Sequence, residues 1–207
     1  MPIYNGIEYI HESVTSILNQ TYVKWELIIG INGHPLNSEI YNIAKQYESD
    51  KIKVVQFIEK GKSNTLNKMI HYCKYNYIAL LDVDDIWHEY KLAYQLPFIE
   101  EYDVVGTQCV YFGDLTNSPS IPFYDISKFH MKSNPFINSS VIIKKELCNW
   151  VDDDEIEDYG LWIRLRKENK KFFNCPDTLV KHRIHTTSAF NSQHQNIDQL
   201  KLRYDIK

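Results

Sequence analysis

The 207-residue chain is poor in residues that punctuate or crosslink a fold, with seven glycines, seven prolines and four cysteines. Cys73, Cys109, Cys148 and Cys175 stand far apart with no C-x-x-C pair, which speaks against a zinc site and against a disulfide framework. Reduced, buried thiols in an intracellular protein are the expectation. Neither G-x-G-x-x-G nor a P-loop occurs, which argues against a nicotinamide enzyme and a P-loop nucleotidase. There is no basic block and the formal net charge is −4, so nucleic acid is not an expected partner. No apolar run approaches the roughly 20 residues that a membrane-spanning helix needs. Met1 leads straight into Pro2-Ile3-Tyr4-Asn5-Gly6, without a signal-peptide pattern. A soluble, cytoplasmic protein without a transmembrane segment is expected, with peripheral membrane association left open.

What is present is an alternation of short apolar runs with amphipathic stretches. Helices are expected at 8–20, 37–49, 63–75, 88–101 and 158–169, on apolar spacings such as Ile7, Ile10, Val14, Ile17 and Leu18. Strands are expected at 25–31, 52–57, 77–81, 103–112, 139–143, 171–174 and 178–184. Strands alternating with helices predict an α/β fold with a mostly parallel central sheet flanked by helices. Residues 114–137 carry Pro119, Pro122 and Pro135 without clean periodicity. They read as a long loop, either a functional lid or a surface excursion. One domain over 1–190 and a polar, weakly helical tail over 191–207 complete the outline.

The stretch Tyr77-Ile78-Ala79-Leu80-Leu81-Asp82-Val83-Asp84-Asp85-Ile86-Trp87 is the most informative. A buried strand here ends in three carboxylates, and open α/β sheets bind ligands beyond the carboxyl ends of their strands. Adjacent carboxylates repel one another, and a divalent cation completed by substrate phosphates relieves that repulsion. A solvated acidic turn is the competing reading.

Several segments, in order, resemble the family 2 glycosyltransferases of the GT-A fold. Met1-Pro2-Ile3-Tyr4-Asn5-Gly6 resembles the family's P-x-Y-N-G opening. Ser16-Ile17-Leu18-Asn19-Gln20-Thr21-Tyr22 with Trp25-Glu26-Leu27-Ile28-Ile29 is similar to its S-[IV]-L-x-Q-[ST]-Y…E-L-I-I. Leu66-Asn67-Lys68 and the acidic strand resemble N-K…Y-I-A-x-L-D-x-D-D. Glu157-Asp158-Tyr159-Gly160-Leu161-Trp162 and Leu179-Val180-Lys181-His182-Arg183-Ile184-His185 are similar to its E-D-Y-D-L-W and L-V-x-Y-R-x-H. The resemblance implies a GT-A fold and transfer of a sugar, with inversion, from a nucleoside-diphosphate sugar, expected to be a UDP-sugar. The acceptor is a hydroxyl on an unidentified glycan, protein or lipid, and the cofactor is Mn²⁺ or Mg²⁺. A catalytically degenerate member that binds a sugar nucleotide or a partner is the alternative.

On this resemblance Asp84 is the metal carboxylate and His185 the second metal ligand, and Asp84 also belongs to the nucleotide-sugar site. Asp82 would contact the ribose or donor sugar. Pro2, Tyr4, Asn5, Asn32 and Asn67 would line the nucleotide-sugar site. Asp158 is the expected general base, beside Glu157, although acidic residues in a helix's first turn also simply favour its dipole. Asp85 is expected chiefly to cap the following helix, and His182 to be a surface strand residue. Ser139 and Ser140 could border the acceptor.

Two departures from the family pattern stand out. Where the family has V-D-D-G-S, this chain has Gly30-Ile31-Asn32-Gly33-His34, so Ile31 replaces the base-recognising Asp. Asn32 could substitute in part through its amide oxygen. The first strand is also expected to be truncated, because the apolar residues that usually precede M-P-x-Y-N are missing.

Overall fold

The computed structural model describes residues 1–152, 156–186 and 197–206. The acidic residues Asp153, Asp154 and Glu155 and the expected domain boundary at 190/191 lie outside them. Strand β1 (Pro2–Ile3), helix α1 (Ile10–Leu18), β2 (Leu27–Asn32), α2 (Glu39–Lys45), β3 (Ile52–Phe57) and α3 (Lys62–Ile70) form the first half. The second half holds β4 (Tyr77–Ala79), β5 (Ile86–Trp87), α4 (Lys91–Gln95), β6 (Val104–Gly113), β7 (Tyr124–Asp125), β8 (Ile142–Lys144), α5 (Glu157–Lys167), β9 (Phe172–Ile184) and α6 (Ile197–Arg203).

The strands form two sheets. One is wholly parallel, in the order β1-β2-β3. The other runs β4-β8-β6-β9-β5, with β7 paired to β9. Its longest pairing, β6 with β9, is parallel, and the short β4, β5, β7 and β8 all pair antiparallel. The first strand, β1, is two residues long. The two strands expected at 171–174 and 178–184 are one continuous strand, which a register shift near Thr107 and Gln108 keeps paired to β6. The helix expected over 88–101 is only α4 followed by a 3₁₀ turn over Leu96–Phe98, where Pro97 supplies no amide hydrogen.

Apolar periodicity becomes burial in the expected places. Val14 and Ile17 of α1, Ile3 of β1 and Ile29 and Ile31 of β2 share one core. A second core surrounds α5, where Tyr159, Leu161, Trp162 and Ile163 are buried. Leu200 of α6 packs into this core, and Arg164 donates to the Tyr204 hydroxyl at 2.9 Å, so residues 197–206 pack against α5. Gly30 admits α3: a Cβ there would lie 2.3 Å from Met69 Sδ. The buried Cys109 and Cys175 are free thiols, and burial pushes both up to about 12.

Ile31 has no exposed surface. Ile31→Asp would place an unpaired carboxylate in that core, and we expect a loss of about 3–5 kcal/mol, read as a lower urea midpoint. An unchanged midpoint would show that position 31 can turn its side chain outward to a ligand.

Candidate active site

The site is built where β4 ends. Leu80 and Leu81 are buried, with the Leu80 amide donating to the Val141 carbonyl at 3.0 Å, and the chain then turns through Asp82 to Asp85. The Asp85 amide donates to the Asp82 carbonyl at 3.2 Å, so the three carboxylates diverge from one tight turn.

Asp84 and His185 meet. His185 Nε2 lies 3.1 Å from Asp84 Oδ2, although 101 positions separate them in sequence. Burial, then repulsion from Asp85 and Asp82, raises the Asp84 pKa, and the contact with His185 only partly offsets this. Among the described residues no group of three or more His, Cys, Asp or Glu side chains could hold a metal ion. Two protein ligands nonetheless suit Mg²⁺ or Mn²⁺, which are held by one or two carboxylates plus substrate phosphates. Ligand atoms sharing one octahedral ion at ~2.1 Å lie about 3 Å apart, close to the spacing of this pair.

Asp82 is anchored on three sides. Its amide donates to Ser139 Oγ at 3.0 Å, Asn138 Nδ2 donates to Oδ2 at 3.0 Å, and Lys62 Nζ lies 3.4 Å from Oδ1. Burial opposes the Asp82 charge, but Lys62 and the Asn138 hydrogen bond hold its pKa below the usual carboxylate range. Lys62 also reaches Glu157 Oε1 at 2.7 Å and so ties the Asp82 turn to the start of α5.

Asp158 follows Glu157 in the first turn of α5 and is buried. Its carboxylate accepts from Asn134 Nδ2 at 3.0 Å and from the Tyr159 amide at 2.7 Å. Burial and then Glu157 raise its pKa to about 6, against the opposing pull of Lys62 and these hydrogen bonds.

Asp85 does not cap a helix, because the residue preceding α4 is Tyr90. It is instead the buried partner of His182, whose Nδ1 lies 2.9 Å from Oδ2, and of the Arg183 amide at 2.9 Å. His182 is correspondingly a half-buried ion-pair residue and not a surface one. Arg183 crosses the site, donating from Nε to the Asp84 carbonyl at 3.0 Å with its guanidinium over Tyr9 and Phe112. Ser139 and Ser140 have no exposed surface, so neither borders an open acceptor site.

The remaining sequence candidates divide. Pro2, Tyr4 and Asn5 lie at the end of β1. Tyr4 is partly exposed beneath Lys60, whose Nζ is 4.3 Å from the ring centroid, and its ring lies 5.3 Å from that of His34. Asn32 is buried, and its Oδ1 accepts from the Gly61 amide at 3.0 Å. Asn67 uses both ends of its amide on the Trp150 backbone, at 2.7 and 3.0 Å, fastening α3 to the segment before α5. Sequence reasoning missed Lys62, Asn134 and Asn138 because none lies in a recognisable motif. Arg183 lies within a motif but was given no role.

Residues 1–191 match the sequence model described as "Glycosyl transferase family 2". The O-antigen biosynthesis glycosyltransferase WbnJ of Escherichia coli is 31% identical over 93% of this chain and 81% of its own. The E. coli UDP-Glc:alpha-D-GlcNAc-diphosphoundecaprenol beta-1,3-glucosyltransferase WfgD is 26% identical over the whole of this chain and 83% of its own. Among solved structures, S. aureus TarS 1-349 in complex with UDP-GlcNAc superposes with a TM-score of 0.80 at 15% identity. That match covers 98% of this chain and 63% of TarS 1-349, so the chain spans under two thirds of that structure. The mannosyltransferase PcManGT from Pyrobaculum calidifontis, in complex with GDP-Man and Mn²⁺, gives 0.69 at 16% identity, over 90% of this chain and 56% of that one. These likenesses establish the GT-A-like α/β fold, and the family match, carried across nearly the whole chain, establishes that it belongs to glycosyl transferase family 2.

Proposed function

We propose that this chain transfers a glycosyl group, with inversion, from a nucleoside-diphosphate sugar, first among them a UDP-sugar, to an acceptor hydroxyl. The observation that carries the reading is the Asp84–His185 pair, 3.1 Å apart, beside Asp82 and linked through Lys62 to the turn that holds Asp158. A packed fold alone has no need of a carboxylate and an imidazole brought together at the end of a strand.

Asp84 and His185 would hold Mn²⁺ or Mg²⁺, which when bound supplies positive charge to the departing diphosphate. Asp82 orients the ribose or donor sugar, and Pro2, Tyr4 and Asn5 line the nucleotide's side of the site. Asn32 and Asn67 shape its walls, their amides being engaged with backbone. Asp158 takes the acceptor proton as the acceptor oxygen bonds to the anomeric carbon, and the bond from that carbon to the diphosphate oxygen breaks. The nucleoside diphosphate leaves with the bonding electrons. Inversion follows from a single displacement on the face opposite the leaving group.

Asp84→Asn is expected to remove the part of donor affinity that depends on Mn²⁺, about 10-fold or more, with little effect on metal-free binding. Titration calorimetry with nucleoside diphosphates, with and without Mn²⁺, measures this. Mn²⁺-enhanced binding equal to that of the unaltered protein would remove Asp84 from the metal site.

A further inference from the structure

Asp82 and Asp158 stand on different elements, the turn after β4 and the first turn of α5. Lys62 reaches both neighbourhoods, at 3.4 Å from Asp82 Oδ1 and 2.7 Å from Glu157 Oε1. A lysine stem is long and rotatable and its ammonium acts as a point charge, so Lys62 supplies charge and little geometry. Short side chains on the segment leading into β8 supply the geometry. Asn134 Nδ2 donates to Asp158 Oδ2 at 3.0 Å, and Asn138 Nδ2 donates to Asp82 Oδ2 at 3.0 Å. The Phe136 amide donates to Asn134 Oδ1 at 3.2 Å, so the donor end of that amide is the end turned to Asp158.

The segment that carries both asparagines is fastened along its length. The Pro135 carbonyl accepts from Asn174 Nδ2 at 3.0 Å, the Ser139 carbonyl from Trp87 Nε1 at 2.7 Å and the Ser140 carbonyl from Gln95 Nε2 at 2.9 Å. Phe136 is buried, with its ring 5.5 Å from those of Trp162 and Phe172. A Cβ on Gly106 would lie 2.5 Å from Phe136 Cδ1, so the segment is seated directly on β6. Asn134 and Asn138 themselves are only half-buried and face the site.

We propose that residues 134–140 form a rigid clamp that fixes the general base relative to the donor-sugar carboxylate, with Asn134 and Asn138 as its positioning residues. The inference rests on the glycosyl-transfer reading of Asp158 and Asp82. Single displacement needs the acceptor oxygen, its base and the anomeric carbon in one geometry, and a misplacement of about 1 Å can cost about 10²-fold in rate. Asn134 also favours the ionised form of Asp158, as does Lys62 from α3, against burial and Glu157 from α5.

The test uses Asn134→Leu and Asn138→Leu, each removing one donor at similar size, with Asn134→Ala as a second variant that needs no added space. Urea midpoints check that each is folded. The carbon-13 shift of the Asp158 carboxyl, identified by its loss in Asp158→Asn, is followed against pH. Its midpoint, about 6 in the unaltered protein, should rise by about one pH unit in both Asn134 variants and stay in place in Asn138→Leu. Calorimetry with UDP-glucose and Mn²⁺ should show the converse. Affinity should fall by about 5-fold or more in Asn138→Leu and stay within about 2-fold in the Asn134 variants. An unmoved Asp158 midpoint in both Asn134 variants, or unchanged UDP-glucose binding in Asn138→Leu, would overturn the proposal. Both readouts moving together in every variant would overturn the separate positioning roles. The titration needs no donor, metal or acceptor. If the unaltered protein binds no UDP-glucose, the UDP-sugar reading fails, while the Asn134 role still stands or falls on the Asp158 midpoint.

Discussion

Asp158→Asn is expected to lower turnover by about 10²–10⁴-fold while leaving nucleotide-sugar affinity within about 2-fold, because removing the base affects the proton transfer and not the donor contacts. The substitution keeps the shape of the side chain and one oxygen to accept from the Tyr159 amide but loses acceptance from Asn134 Nδ2, so a urea midpoint measured in parallel checks that the variant is folded. In the unaltered enzyme the base must be ionised. With the Asp158 pKa raised to about 6 by burial and Glu157, activity should climb as pH rises through about 6 and level above it. The variant should lose that limb. Rates measured from pH 5 to 8, with donor affinity determined in parallel, separate the roles. Full turnover by the variant would leave Asp158 only its helix-dipole role.

The second large effect concerns stability. Asp85 is 1% exposed and carries both His182 and the Arg183 amide. Asp85→Ala would take from the half-buried His182 its nearest counter-charge and from the Arg183 amide its acceptor, and removing one partner of a buried pair costs at most about 3–5 kcal/mol. Against a total stability of about 5–15 kcal/mol, the urea midpoint of the metal-free protein should drop sharply, and a shift below about 1 kcal/mol would mean the pair contributes little. Burial alone would lower the His182 pKa; Asp85 outweighs it and raises it to about 9. A folded value above the ordinary ~6.5 means the pair's contribution is fully present below about pH 6.5. It is lost as pH rises through about 9, and Asp85→Ala should shrink that alkaline loss, leaving the smaller part due to Asp82 and Asp84.

Both residues lie within motifs visible in the sequence, but their surroundings were not equally legible there. Asp158 stands beside Glu157 in the first turn of α5, as the expected helix start at 158 implies, and its role as base remains a proposal. Asp85 looked like a cap because the next element was expected to be a helix. The chain instead forms β5, a two-residue strand too short to leave a period, and α4 begins only at Lys91. The same limit hid the mixed character of the second sheet, for β7 and β8 are equally brief. Ile31 was readable as a departure from the family pattern, but its lack of exposed surface follows from the packing around β2 and not from its neighbours in sequence.

By itself the sequence determined the alternation of elements, the apolar faces that became two cores, and the acidic turn after β4, because periodicity and local chemistry act over a few residues. Apart from Asp84 and His185, which the family resemblance already pairs, only the tertiary structure decided which of those residues meet. Asp84 with His185, Asp85 with His182 and Lys62 with Glu157 are contacts across about a hundred residues, and Lys62 with Asp82 spans a further helix and strand. They exist because the pairing of β9 beside β6 and β5, and the packing of α3 beside the turn that opens α5, bring distant segments together. No local propensity encodes such closures; they follow from which strand edges and helix faces can be buried at once.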